Sequence, residues 1–292
     1  MNRTFLKISF LFLLFGAVVS CKKNNYAIDQ DIVPPTFVKF NTLQPADSAG
    51  TYFIRSNNNV FKIPIGVTTV SNTDRTIQLT YSSNSAVQGQ QYTAPATITI
   101  PAGKAVDTLT IQGNFAGYTS SSRVDTLKIT VGGTETPTNA YKGTYTLYMR
   151  KYCEVDINAL AGDYNNTRED LGGSVYGPYQ TAISNIVPIS ATKARVSVEN
   201  IYDYGWGPIE FELDWSNPAN HTVTVVAKSS GIGNAGTLSS AYTGQQVAVR
   251  SNGRVGTFNA CDPSITLSFQ LGAASATGTT WFSSSYIVTM RR

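Results

Sequence analysis

"IEFELDW", residues 209–215, sets Ile209, Phe211, Leu213 and Trp215 in strict alternation with Glu210, Glu212 and Asp214. Successive side chains of an extended chain point to opposite faces, so a strand here buries its apolar row and leaves three carboxylates in water. Trp215 is therefore expected in a core. The turn-rich "SNPANH" follows, and "TVTVVAK" reads as the returning strand. The same period of two recurs in "RTIQLTYS", through Ile77 and Leu79, and in "RVDTLKITV", through Leu127, Ile129 and Val131.

Working outward, residues 36–152 hold a series of such runs. They are "TFVKFNT", "GTYFIRS", "VFKIPIGVTTV", "TIQLTYS", "ATITIPAG", "VDTLTIQGNF", "RVDTLKITVGG" and "YKGTYTLYMRKY". Clusters of Gly, Asn, Ser or Pro separate most of them, which is the rhythm of a β-sandwich. Residues 153–292 read as a second β-domain, opened by "CEVDINALAGDY" and closed by "GTFNACDPSITLSFQL" and "SSSYIVTMRR". The composition agrees, being rich in Thr, Ser, Asn and Val, with 24 Gly and 16 Tyr. The fold class expected is all-β, with two tandem β-domains. The first is a sandwich and the second a β-sandwich or partly closed barrel.

The N-terminus bears on the compartment. "MNRTFLKISF" carries Arg3 and Lys7, "LFLLFGAVVS" is apolar and ends in small residues, and Cys21 follows. Residues 1–20 thus read as a signal peptide, whose apolar core is too short for a permanent spanning helix. "VVSC" resembles the lipobox of bacterial lipoproteins, which implies lipidation of Cys21 and attachment to a membrane through acyl chains. Residues 21–35, polar and then proline-bearing, read as a lipidated tether. Lys22 after the cysteine resembles outer-membrane sorting, with the cell surface and the periplasmic face both left open. Two cysteines remain, Cys153 and Cys261, and an even pair in an oxidising envelope suggests a disulfide over two thiols. The formal charge is +4, from 22 basic and 18 acidic residues without a basic run. Nucleic acid is therefore not an expected partner.

"QQYTAPATITIPAGKAVDTLTIQGNF" followed by "SSRVDTLKITVGG" resembles the second half of Calx-β-like immunoglobulin-type domains. The resemblance implies that the first domain is an immunoglobulin-like sandwich. Calx-β modules that bind calcium do so through clustered acids, whereas Asp74, Asp107 and Asp125 are isolated here, so no metal is expected. Taken with the lipobox, "C…LAGDY" and "GTFNACDPSITL", the chain resembles Bacteroidetes outer-membrane lipoproteins of the kind found with glycan-uptake systems. That implies a polysaccharide or oligosaccharide partner, and outer-membrane uptake proteins as neighbours.

Two stretches carry candidate chemistry. In "YDYGWGP", residues 202–208, Gly and Pro interrupt any strand pattern, so a loop is expected. Tyr202, Tyr204 and Trp206 can stack on the C–H face of a sugar while Asp203 accepts hydroxyl hydrogen bonds. The competing reading is a loop folded back to cap the domain. "GSVYGPYQ" places Tyr176 and Tyr179 around Gly177 and Pro178 in a second loop of the same kind, and the two loops could meet at one end of the domain. The candidate ligand-binding residues are Tyr202, Asp203, Tyr204, Trp206, Tyr176 and Tyr179.

Other motifs carry less. "GIGNAG", residues 231–236, fits the dinucleotide-binding expression, but "TLSSAYTGQQVAV" after it is no phosphate-binding helix, so it reads as a β-loop and no cofactor is expected. His221 is the sole histidine and no "GxSxG" elbow is present, so neither catalytic nor metal-ligating residues are assigned. The favoured function is a noncatalytic, lipid-anchored outer-membrane protein that binds glycan or assists its uptake. The alternative is a structural or adhesive envelope protein binding another protein. Glu154, Asp156, Glu210, Glu212 and Asp214 keep an envelope glycan hydrolase as the third and last-ranked class.

Overall fold

The computed structural model describes residues 36–42, 48–57, 59–132, 142–283 and 285–292. The signal peptide, Cys21 and the tether lie outside these residues, as does most of "GGTETPTN", expected as a turn. Regular structure among the described residues is β apart from short 3₁₀ turns.

The first domain runs through β1 (Val38–Phe40), β2 (Ala49–Ile54), β3 (Val60–Val67), β4 (Arg75–Ser82), β5 (Tyr92–Thr93), β6 (Thr97–Ile100), β7 (Val106–Gly113), β8 (Val124–Gly132) and β9 (Thr144–Lys151). One sheet has the order β1-β3-β7-β5 and the other β2-β9-β8-β4-β6. All pairings are antiparallel except β2 with β9. Each of the eight quoted runs of the first domain contains a strand. The alternation puts Ile77 and Leu79 of β4, with Leu127, Ile129 and Val131 of β8, into one core with Phe40, Ile54, Ile65 and Ile111. Two sheets closing over one apolar layer make an immunoglobulin-like sandwich. Asp125 shares the inward row of β8 and is fully buried, where Arg123 Nε meets its Oδ1 at 2.9 Å.

The second domain holds β10 (Gly162–Leu171), β11 (Ser174–Ser190), β12 (Lys193–Glu199), β13 (Ile209–Asp214), β14 (Thr222–Val225), β15 (Gln246–Arg250), β16 (Gly256–Asn259), β17 (Ser264–Ser275), β18 (Gly278–Trp281) and β19 (Tyr286–Arg291). Eight of these close into an antiparallel barrel in the order β10-β11-β12-β13-β14-β16-β17-β19, with β19 pairing back onto β10. Between a sandwich and a partly closed barrel, the structure thus has a barrel, and the barrel is closed. Residues 264–269 pair with β19 in the wall, while residues 270–275 continue past it to pair with β15 and β18. Eight strands leave an interior that side chains fill, here Tyr164, Val196, Phe211, Leu267, Phe269, Tyr286 and Val288 among others.

β13 realises "IEFELD" with Ile209, Phe211 and Leu213 buried and the acids on the outer face. Those acids meet β12 side chains in register: Lys193 Nζ lies 2.9 Å from Asp214, and Arg195 lies 2.6 Å from Glu212 and 3.7 Å from Glu210. Trp215 departs from its expected place in the core. The strand ends one residue earlier, so its ring is half-buried at the rim, edge-on to Phe258 at 6.3 Å. "GSVYGPYQ" also departs from expectation. It is no loop but the start of β11, paired along β10.

Cys153 and Cys261 form a disulfide, as the sequence suggested, with Cα atoms 5.1 Å apart. It ties the chain leaving β9 to the turn between β16 and β17. Around it Arg150 Nη1 donates to the Ala219 carbonyl at 3.2 Å, Asn259 Nδ2 donates to Ser121 Oγ at 2.6 Å, and Tyr152 stands edge-on to His221 at 6.1 Å.

Candidate functional site

The loop between β12 and β13 folds over one end of the barrel. Its backbone takes left-handed φ at Asn200 (57°), Tyr202 (66°), Asp203 (53°) and Gly205 (69°). Three of these residues carry a Cβ, and such conformations concentrate at ligand clamps because surrounding contacts must hold them. Here the contacts are specific. Asn200 Nδ2 donates to the Gln180 carbonyl at 2.6 Å, Asn200 Oδ1 accepts from Gly205 N–H at 2.8 Å, and Ile201 N–H donates to the Trp206 carbonyl at 3.0 Å.

Trp206 corrects the expectation of an exposed stacking ring: it is 2% exposed. A side chain this large has much apolar surface to bury, and "GIGNAG" provides the seat. A Cβ added at Gly233 would lie 2.2 Å from Trp206 Cδ1, so only glycine allows the indole this close. The Gly207 N–H donates to the Ile232 carbonyl at 2.9 Å, which fixes the same approach. The reading of the loop as folded back on the domain therefore holds for its tryptophan.

The remaining rings build outward from that anchor. Tyr202 is half-buried and stacks on Trp206 at 5.3 Å, with Tyr204 at 5.1 Å and Tyr286 of β19 at 5.7 Å from it. Tyr204 is 53% exposed. From β11, Tyr176 is 56% exposed, and its hydroxyl donates to Asp203 Oδ2 at 3.1 Å. Strand and loop thus meet. Tyr179 does not reach the surface. It is buried beside Tyr176 at 5.8 Å and its hydroxyl donates to Glu169 Oε1, so its expected ligand contact is corrected to a supporting one.

Glu169 escaped the sequence reading. It sits on the inward row of β10, 3% exposed, and its Oε1 also accepts the Tyr202 N–H at 2.8 Å. Burial above all pushes its carboxyl up to about 7. The nearby Tyr286 hydroxyl and the Tyr202 N–H pull the other way, while the charge of Asp203 raises it further. Neither Glu169 Oε2 nor the Tyr286 hydroxyl meets hydrogen-bonding geometry with a partner. Burial and then Glu169 raise the Tyr286 phenol well above its ordinary range. The available signal was an acid sharing parity with Leu171, but register shifts between Tyr164, Thr167 and Glu169 break the count along β10.

Together Glu169, Leu171, Tyr176, Tyr202, Tyr204 and Tyr286 line a cleft of about 390 Å³ at the barrel mouth. That size lies within the range of small-molecule sites, and barrel mouths are among their usual places. A second cleft, about 370 Å³, opens at the domain junction beside Arg150, His221 and the disulfide. Burial, and then the charge of Arg150, lower the His221 pKa and favour its neutral form. The acids weighed for catalysis do not gather: Glu210, Glu212 and Asp214 hold the β12 cations, and Glu154 pairs with Arg55.

No family model and no curated protein matches the chain. Among solved structures it is similar to a protein of unknown function from Bacteroides ovatus, at 10% identity over 87% of this chain and 90% of that one, with a TM-score of 0.35. It is similar to an auxiliary nutrient binding protein from Bacteroides thetaiotaomicron at 12% identity, over 86% of this chain and 92% of that one, with a TM-score of 0.29. The apo-form Calx CBD1 domain is similar at 14% identity, over 40% of this chain and 96% of that one, with a TM-score of 0.31. Similarity at this level assigns neither family nor function.

Proposed function

We propose that the protein is a noncatalytic, lipid-anchored outer-membrane accessory that captures glycan at the mouth of its barrel. One observation supports the capture most directly. Tyr176 from β11 and Tyr204 from the loop both expose their rings on one cleft, and the Tyr176–Asp203 hydrogen bond joins the two elements. Exposed rings stack on sugar C–H faces, and carboxylates accept from sugar hydroxyls. The individual contacts are weak, and many copies on one membrane would raise the avidity.

The test is retention of the full chain on a panel of immobilised polysaccharides. Retention by at least one, lost on replacing Tyr176 and Tyr204 with alanine while the melting temperature is kept, supports the reading. No retention by any polysaccharide removes it. Turnover of a retained glycan, abolished by Glu169→Gln, would replace capture with hydrolysis. The anchor has its own test: metabolic labelling with a fatty acid should mark the chain and should fail in Cys21→Ser. Protease shaving of intact cells then tells surface from periplasmic exposure.

A further inference from the structure

The outer wall of the barrel treats its cations in two ways. On β12, Lys193 and Arg195 each meet acids of β13 across the ladder. On β10 and β19 the matching acids are missing. Arg168 stands opposite Thr289, and Arg291 lies two positions further along the same outward row of β19. The two arginines are thus diagonal neighbours, within about 7–8 Å of each other, where like charges repel. Both are exposed, and neither guanidinium has a hydrogen-bonding or ion-pairing partner among the described residues.

They open onto a depression of about 380 Å³, with Asn166 and Thr289 beside them. Two acids reach the same depression without neutralising it. Glu169 is on the inward row of β10, and its carboxyl is buried against Tyr179 and the Tyr202 N–H. Asp170 shares the outward row, but its Oδ1 accepts the Gly173 N–H at 2.7 Å, and it forms no ion pair with either arginine. Two guanidinium groups against one carboxylate leave this face short of negative charge. A guanidinium offers a planar fork of donors that fits a carboxylate or sulfate group, and the Asn166 amide and Thr289 hydroxyl can donate as well. The depression adjoins the mouth cleft, since Glu169 and Val175 line both. We propose that the Arg168–Arg291 depression is an acid subsite of the barrel mouth, which therefore selects a glycan bearing carboxylate or sulfate groups. One sugar ring lies on Tyr176 and Tyr204 while the acid group of a neighbouring sugar meets the arginines. The proposal rests on the glycan-capture reading and gives it a substrate class.

The experiment is calorimetric titration of the full chain in detergent at neutral pH with two pairs of oligosaccharides that differ in charge. They are tetragalacturonate and its methyl ester, and maltotetraose with and without sulfate esters. The charged member of at least one pair should bind about tenfold more tightly than its neutral twin, and the pair that shows it tells carboxylate from sulfate. Added salt should narrow that ratio. In Arg168→Gln the ratio should fall to within about threefold. Should this variant melt abnormally, Arg291→Gln at the end of β19 serves instead, with the same expected fall. Equal affinity within both pairs overturns acid selection and leaves glycan capture standing. Binding of none of the four also overturns acid selection, and retention on the polysaccharide panel then decides capture separately. A ratio that persists in both variants overturns the assignment to the arginine pair.

Discussion

Tyr202 lies flat on Trp206, ring centroids 5.3 Å apart and planes 22° from parallel. That one contact divides the loop into a part that holds and a part that faces solvent. Below it the indole is buried; above it Tyr204 is open.

Replacing the two rings by alanine should therefore separate stability from binding. Trp206→Ala should lower unfolding free energy by about 3–5 kcal/mol, the range for large buried aromatics. Tyr204→Ala should change it by less than about 1 kcal/mol and act on ligand retention instead. Denaturant melts of both variants, beside a binding assay, check the division. Equal destabilisation would refute it.

Gly233→Ala tests the same seat from the other side. The added methyl would meet Trp206 Cδ1 at 2.2 Å, so the indole or the "GIGNAG" backbone must shift. Overpacking of this kind costs about 1–3 kcal/mol. Trp206 fluorescence should change with it.

Glu169 predicts a pH dependence of known sign. In the folded chain its carboxyl keeps a proton up to about 7, above the usual carboxylate range. The native state then binds more protons than the unfolded one between those values. Its contribution to stability is complete below the unfolded pKa, declines as pH rises toward 7 and levels off beyond, by up to ~3 kcal/mol. Denaturant midpoints measured from acid to neutral pH should carry this slope, and Glu169→Gln should flatten it.

The disulfide should be worth measuring against its loop. Cys153 and Cys261 are separated by 108 positions. Closing so long a loop stabilises by about 3–5 kcal/mol in the chain-entropy model. Reduction, or Cys153→Ser with Cys261→Ser, should lower the barrel's denaturant midpoint more than that of the sandwich, which has its own core.

Much of the fold was legible because strands announce themselves with a period of two. "RTIQLTYS", "RVDTLKITV" and "IEFELD" kept their inward rows, and the cysteine pair formed its bond. What failed did so where that period is interrupted. Trp215 lies just past a strand end, where alternation no longer decides burial. Gly177 and Pro178 looked like loop chemistry but sit inside β11, and the bulged register of β10 hid an acid on its inner row. Barrel closure depends on which strands pair across a large sequence distance, and no local pattern carries that. The burial of Trp206 was equally nonlocal, because its partner is a glycine in a segment between β14 and β15.

Closure of the barrel has a consequence for its assembly. β10 is flanked by β11, close in sequence, and by β19, so Glu169, opposite Tyr176, waits for Val288 before its second neighbour exists. Until residues 286–291 dock, β10 and the wall half of β17 each present an unpaired edge. During folding the chain must therefore hold the edge of β10 open until its last strand arrives, a period of exposure in which a chaperone has more to offer it than the finished barrel would need.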